Sequence, residues 1–243
     1  MKEVAHNLLE TPERPGFVLD LHDGTNAQVS IIVIHYENPG YLNICLQSIY
    51  AMSNLNNYEV IVVDNGSGQD TQDYLTVVEE EGVKVVRNKE NLYWSKAANQ
   101  GVAVADPSSQ YYIFMHCDTV VLNPGWIDLL VNVSEAKKSG LVGTQLHSYY
   151  LQNQKVDYIQ EWCILISKEC WEDVGPWPEE LPLVGHSFVM TLKAQQKGYK
   201  PQAMTNPLVH HYKAISYKPN ELERISEKAM STIPKIIAEI RDF

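Results

Sequence analysis

The feature that most limits how this chain can fold is a recurrence. Short β-branched runs are each followed by a turn and then by apolar residues at helical spacing. Gln28 to His35 (QVSIIVIH) is apolar on both faces and too short for a helix, the pattern of a strand buried in a parallel sheet. Asn38-Pro39-Gly40 ends it, and Tyr41 to Met52 sets Leu42, Cys45, Leu46 and Ile49 on one helical face. The unit repeats. Tyr58 to Asp64 predicts a second strand, Asn65 to Gly68 a turn and Thr71 to Glu81 a helix, then Val83 to Arg87 a strand, Ser95 to Val104 a helix and Tyr111 to Met115 a fourth strand. Strands alternating with helices of this length require crossover connections. They imply an α/β fold with a mostly parallel sheet flanked by helices, and ligands at the strands' carboxyl ends.

The regularity weakens after Trp126. Ile127 to Lys138 reads as a helix, Gly140 to Leu146 and Trp162 to Ser167 as short strands, Lys168 to Val174 as a short helix, and His186 to Lys197 as a helix closed by Gly198. Between the last two, Pro176, Pro178 and Pro182 crowd a connection, and Glu221 to Arg241 predicts a long amphipathic helix interrupted by Pro234. The expected organisation is an N-terminal extension over 1–27, one domain over 28–218 with an irregular C-terminal half, and a helix over 219–243 packed on it.

Composition narrows the function. A net charge of −11 on 243 residues repels polyphosphate over long range and disfavours general nucleic-acid binding. The longest apolar runs fall far below the roughly 18 residues that span a bilayer. The N-terminus carries acidic residues among its apolar ones and lacks the apolar core of a signal peptide, so the expected setting is cytoplasmic. Cys45, Cys117, Cys163 and Cys170 form no CxxC pair, which fits reduced thiols.

The strand ends deliver polar groups that an apolar scaffold does not need: His35-Tyr36-Glu37-Asn38, Asp64-Asn65-Gly66-Ser67, Asn88 to Asn91, and His116-Cys117-Asp118. One such loop alone would pass for turn and cap chemistry. Four on adjacent strands share a rim and together point to a site.

With those residues in view, the succession VSIIVIHYENPGYLNICLQSI, EVIVVDNGSGQDT, NKENLYWSKAANQGV, YYIFMHCDTVVLNPGWI, CWEDVGPWPEEL and LKAQQKGYK resembles, in order and spacing, the family 2 glycosyltransferases of GT-A, Rossmann-like fold, over about residues 28 to 212. The resemblance implies a nucleotide-sugar donor, a UDP-sugar above all, lying over the strand ends, with a divalent cation, Mn²⁺ or Mg²⁺, bridging its phosphates. It sets Tyr36 and Asn38 in the loop lining the uridine pocket and Asp64 where the base is hydrogen-bonded. Asn91, Lys96 and Asn99 fall in the stretch flanking the nucleotide sugar. His116-Cys117-Asp118 aligns with the acidic metal motif, of which Asp118 alone survives; a histidine at the first position suits Mn²⁺ better than Mg²⁺. Leu208 to Tyr212 resembles the segment that returns a histidine to the metal, so one of His210 and His211 would complete the shell, and adjacent residues of an extended chain point opposite ways.

Two departures stand out. The family's usual glycine after Asn-Leu is Tyr93, with Trp94 beside it. Inverting members carry Glu-Asp at the start of the helix after the proline-rich segment, where this chain has His186-Ser187. His186 is the replacement base expected, an imidazole being competent near neutral pH, with Ser187 as a helix cap and Glu161, Glu179 and Glu180 as other carboxylates available. The expected activity is therefore transfer of a sugar to a hydroxyl acceptor, a saccharide or glycoconjugate, with inversion. The alternatives are an inert relative that binds nucleotide sugar, and a nucleotidyltransferase, whose glycine-rich basic phosphate loop does not follow Ile34. Trp94, Trp126, Trp162 and Trp177 are each candidates for core or for a sugar-stacking face.

Overall fold

The computed structural model describes residues 28–53, 57–151, 154–204, 207–213 and 219–241. The expected extension over 1–27 lies outside them. The first half follows the predicted alternation: β1 (Val29–His35), α1 (Pro39–Met52), β2 (Tyr58–Asp64), α2 (Gln69–Glu80), β3 (Lys84–Arg87), α3 (Tyr93–Ala103) and β4 (Tyr111–His116). β1 is buried along its whole length and pairs in parallel with β2 on one side and β4 on the other. The chain runs outward from β1 through β2 to β3, then returns across β1 to β4. This reversal is a topological switch point, where a crevice opens at the carboxyl ends of the strands.

The second half contains β5 (Thr119–Val121), α4 (Trp126–Lys137), β6 (Leu141–Gly143), β7 (Leu146–Leu151), β8 (Gln154–Ile159), β9 (Cys163–Ser167), α5 (Lys168–Val174), α6 (His186–Gln196), β10 (Gln202–Ala203), β11 (Val209–His211) and α7 (Pro219–Arg241). The central sheet has the order β10-β6-β9-β4-β1-β2-β3, with β9 antiparallel to both β4 and β6. The strand expected over Gly140 to Leu146 is two elements. β6 ends at Gly143, which has Ile159 packed against its Cα, and the chain then leaves the sheet to form the β7–β8 hairpin.

Two apolar clusters cover the faces of the sheet. Ile31, Val33, Val60, Val62 and Ile113 meet α1, α2 and α4 through Leu42, Ile49, Leu75 and Leu130, and the opposite face packs Ile32, Ile61, Phe114 and Ile164 against Ala97, Ala98, Trp177 and Met190. α7 lays Ala229, Ile233, Ile236 and Ile237 on Leu181, Phe188 and Val189 of the proline-rich segment and α6. It is unbroken at Pro234, contrary to the sequence expectation. The proline stands on the exposed side, where the carbonyl it leaves unbonded can be hydrated, and the buried isoleucines around it hold the helix on the domain.

Candidate functional site

β4 ends in His116, and a tight turn then delivers Asp118 before the chain re-enters β5. β11 runs antiparallel to β5 with His211 opposite Thr119 and His210 opposite Val120. The Tyr212 amide donates to the Asp118 carbonyl at 2.9 Å, and the Leu122 amide to the Leu208 carbonyl at 2.8 Å, so the pairing is fastened at both ends. It carries a residue more than 90 positions away onto the rim of β4. His211 Nε2 lies 3.2 Å from Asp118 Oδ1, and His116 Nδ1 lies 3.9 Å from the same oxygen. One ligand atom from each of the three falls within 4.8 Å of the others.

This donor set fits a divalent cation. Two imidazoles and one carboxylate match the borderline preferences of Mn²⁺ better than those of Mg²⁺. His116 Nε2 is buried without a hydrogen-bond partner, and burial holds this imidazole below its usual range against the opposing pull of Glu161 and Asp118, leaving it neutral as a ligand must be. The Trp162 ring stacks on His211 at 5.3 Å and 14°, and its indole N–H is held by Gln160 and Gln145. Period-two alternation separates the two histidines. His211 turns inward, whereas His210 is exposed, edge-on to Tyr212, and stands apart from the group.

The first two strand-end loops are tied together. The Glu37 amide donates to Ser67 Oγ at 2.7 Å and the Gly68 amide to Glu37 Oε1 at 3.2 Å. Glu37 and Asn38 both have left-handed backbones (φ 55° and 54°), and such strain in consecutive side-chain-bearing residues is retained where a loop is shaped for function. Tyr36 is half-buried and Asn38 exposed on this rim. Asp64 is fully buried, and its carboxylate accepts from the Ser67 amide, the Ser67 hydroxyl and Gln72 Nε2, so its hydrogen bonds go to the turn it closes. Gly66 is required there, since a Cβ would lie 2.9 Å from the Glu90 backbone of the neighbouring loop.

In the third loop, Asn91 Oδ1 accepts from the Tyr93 amide at 2.8 Å, and Tyr93 keeps the left-handed backbone (φ 61°) that a glycine would take. Its hydroxyl donates to Glu221 at the start of α7. Lys96 is exposed on α3. Asn99 is a clamp, its amide donating to the Trp177 carbonyl (3.0 Å) and accepting from the Trp177 amide (2.9 Å), so these hydrogen bonds go to the proline-rich segment. Glu179 also meets Asn99. Trp94, Trp126, Trp162 and Trp177 are all buried and belong to the core.

His186 is the largest departure from the sequence expectation. It is fully buried, stacked on Trp94 at 4.5 Å and 15° with Trp177 edge-on, and burial lowers its pKa to about 4. An enclosed, weakly basic ring is ill placed to meet an acceptor. Beside it stands Glu161, from the turn between β8 and β9, which accepts from Ser187 Oγ at 2.8 Å and has its other oxygen 3.8 Å from His186 Nε2. Burial works against the Glu161 charge, but its polar surroundings, the Ser187 hydroxyl among them, outweigh it and hold the carboxyl below its usual range. No sequence pattern distinguishes Glu161, because its position depends on the β7–β8 hairpin.

A sequence model of Glycosyl transferase family 2 matches residues 30–181. Among curated proteins, the chain is similar to Uncharacterized protein y4gI of Sinorhizobium fredii, with 30% identity over 122 residues covering 49% of this chain and 13% of that protein. It is also similar to the O-antigen biosynthesis protein RfbC of Myxococcus xanthus, with 20% identity over 223 residues covering 77% and 17%. The chain thus spans less than a fifth of the length of either. Among solved structures it is similar to the mannosyltransferase PcManGT from Pyrobaculum calidifontis in complex with GDP-Man and Mn²⁺, with TM-score 0.66, 16% identity, and 91% of this chain and 66% of that one covered. It is likewise similar to S. aureus TarS 1-349 in complex with UDP, with TM-score 0.59, 16% identity and coverage of 83% and 64%. These likenesses establish the expected GT-A-type fold. With the match over 30–181 taking in more than half of the sequence, the chain belongs to glycosyl transferase family 2.

Proposed function

We propose that this chain transfers a glycosyl group from a nucleotide-sugar donor, a UDP-sugar, to a hydroxyl acceptor with inversion at the anomeric carbon. The observation that carries this reading is the convergence of His116, Asp118 and His211 at the carboxyl end of β4, on the switch point of a GT-A-type sheet. The structural neighbours in complex with GDP-Man and Mn²⁺ and with UDP support it. A divalent cation held by these three side chains would offset the negative charge that develops on the departing diphosphate.

The remaining roles fall to the chain's own groups. Tyr36 and Asn38 offer an aromatic face and an amide to the nucleoside. Asp64, held by Ser67 and Gln72, fixes the second loop. Asn91 shapes the third loop, and Lys96 offers a cation to phosphate. The buried Trp94 and Trp177 keep water from the floor of the site. The inferred setting is cytoplasmic, consistent with four free cysteines, of which Cys45 is buried and pushed up to about 12 by that burial. No helix among the described residues is long and apolar enough to cross a membrane.

Calorimetry with UDP and with GDP, each with and without Mn²⁺, tests the reading. Metal-dependent binding that disappears in Asp118→Ala is expected. Absence of nucleotide binding, or an Asp118→Ala protein that binds as the wild type does, would overturn it.

A further inference from the structure

We infer that Glu161, a carboxylate from the turn before β9, is the general base that takes the acceptor's proton, and that Ser187 and His186 at the start of α6 are positioning residues that hold it. The inference rests on the transfer reading above and names the group that completes it.

Three observations converge. Ser187 and His186 occupy the helix start where the resembling family carries its carboxylates, and both face Glu161, at 2.8 Å from Ser187 Oγ and 3.8 Å from His186 Nε2. The carboxylate missing from α6 is thus supplied to the same place from the opposite side. Glu161 also adjoins the candidate cation site. The next residue, Trp162, accepts the His116 amide through its carbonyl at 3.1 Å and stacks its ring on His211. Finally, the Glu161 side chain is 21% exposed and that of His186 is 1% exposed, so of this pair only the carboxylate can touch an incoming hydroxyl.

In the step, the acceptor O–H proton passes to the Glu161 carboxylate as the acceptor oxygen bonds to the anomeric carbon. The bond from that carbon to the diphosphate oxygen breaks, its electron pair leaving with the nucleoside diphosphate. With water as acceptor the same step releases free sugar. Glu179 instead accepts from the Asn99 amide of α3, and Glu180 follows it on the connection between α5 and α6, whereas Glu161 is the carboxylate that meets Ser187 and His186.

The test uses the full chain, with UDP plus Mn²⁺ as the binding probe and a panel of UDP- and GDP-sugars as donors, reading release of nucleoside diphosphate. Glu161→Gln should bind UDP within twofold of wild type while release falls roughly 100-fold or more, the scale of lost general-base catalysis. Ser187→Ala should lower kcat about tenfold with the donor KM unchanged, and Ser187→Thr, which keeps the hydroxyl, should restore it. Release by Glu161→Gln within tenfold of wild type overturns the assignment. So does a wild type that binds UDP yet releases diphosphate from no donor. Failure of the wild type to bind UDP or GDP strikes instead at the proposed function. If Glu161→Gln does not fold, Glu161→Asp and Ser187→Ala carry the test, and normal release in either overturns it.

Discussion

His211 Nε2 lies 3.2 Å from Asp118 Oδ1 although 93 positions separate them (211 − 118), and the antiparallel pairing of Val209–His211 with Thr119–Val121 is what joins them. Removing either side chain should weaken Mn²⁺-dependent nucleotide binding by at least the roughly 10–100-fold that loss of a mere supporting group costs a metal site. His210→Ala should leave binding unchanged, because that ring faces the other way. Calorimetry on the three alanine variants decides it, and equal losses in His210→Ala and His211→Ala would contradict the geometry.

Asn99→Ala should destabilise the fold without touching the donor. Its amide both donates to and accepts from the Trp177 backbone, and deleting it strands a partly buried peptide group, a loss of about 1–3 kcal/mol. The expected result is a lowered denaturation midpoint with the affinity for UDP and Mn²⁺ unchanged within twofold. A large change in affinity at constant stability would return Asn99 to the nucleotide.

Gly101 is where α3 rests on β1. A Cβ there would meet Ile32 Cγ2 at 2.3 Å, and Ile32 is fully buried and cannot yield. Gly101→Ala should therefore cost about 1–3 kcal/mol in urea unfolding through overpacking, against the helix-propensity gain of about 1 kcal/mol that an exposed site would show. A stabilised variant would mean that the helix can shift off the sheet.

Acid should destabilise the protein through His35. The ring is buried without hydrogen-bond partners, and its pKa is lowered to about 4 by burial, which outweighs the pull of Asp64. In the unfolded chain it titrates near 6.5, so between pH 6.5 and about 4 the unfolded state binds the proton and the native state does not. Stability is then full above the unfolded value and declines as pH falls through this window, by up to about 3 kcal/mol from this group. Chemical denaturation at pH 7.5 and 5 measures the loss, and His35→Asn should flatten it.

Much of the scaffold is legible in local patterns. β1, β2 and β4 are short and apolar on both faces because each is covered on both sides, and the helices between them announce the crossovers. Asp118 stands out as a carboxylate at a strand end. The β7–β8 hairpin, β5 and β10 leave no such local signature, since each is short or polar and takes its conformation from its partner. Pro234 misled in the other direction, because the packing of Ile233, Ile236 and Ile237 outweighs the loss of one exposed helical hydrogen bond.

The alternation of strands and helices in the N-terminal half, the apolar identity of the sheet and the polar loops at its rim follow from the sequence alone, because burial on both faces and helical periodicity are local properties. Tertiary structure decided which side chains meet: His211 rather than His210 at Asp118, Asn99 on the Trp177 backbone, His186 sealed against Trp94, and Glu161 beside Ser187. The physical reason is that these encounters depend on the register and pairing of segments distant in the chain, and a shift of one residue in an extended strand reverses the face on which every side chain points.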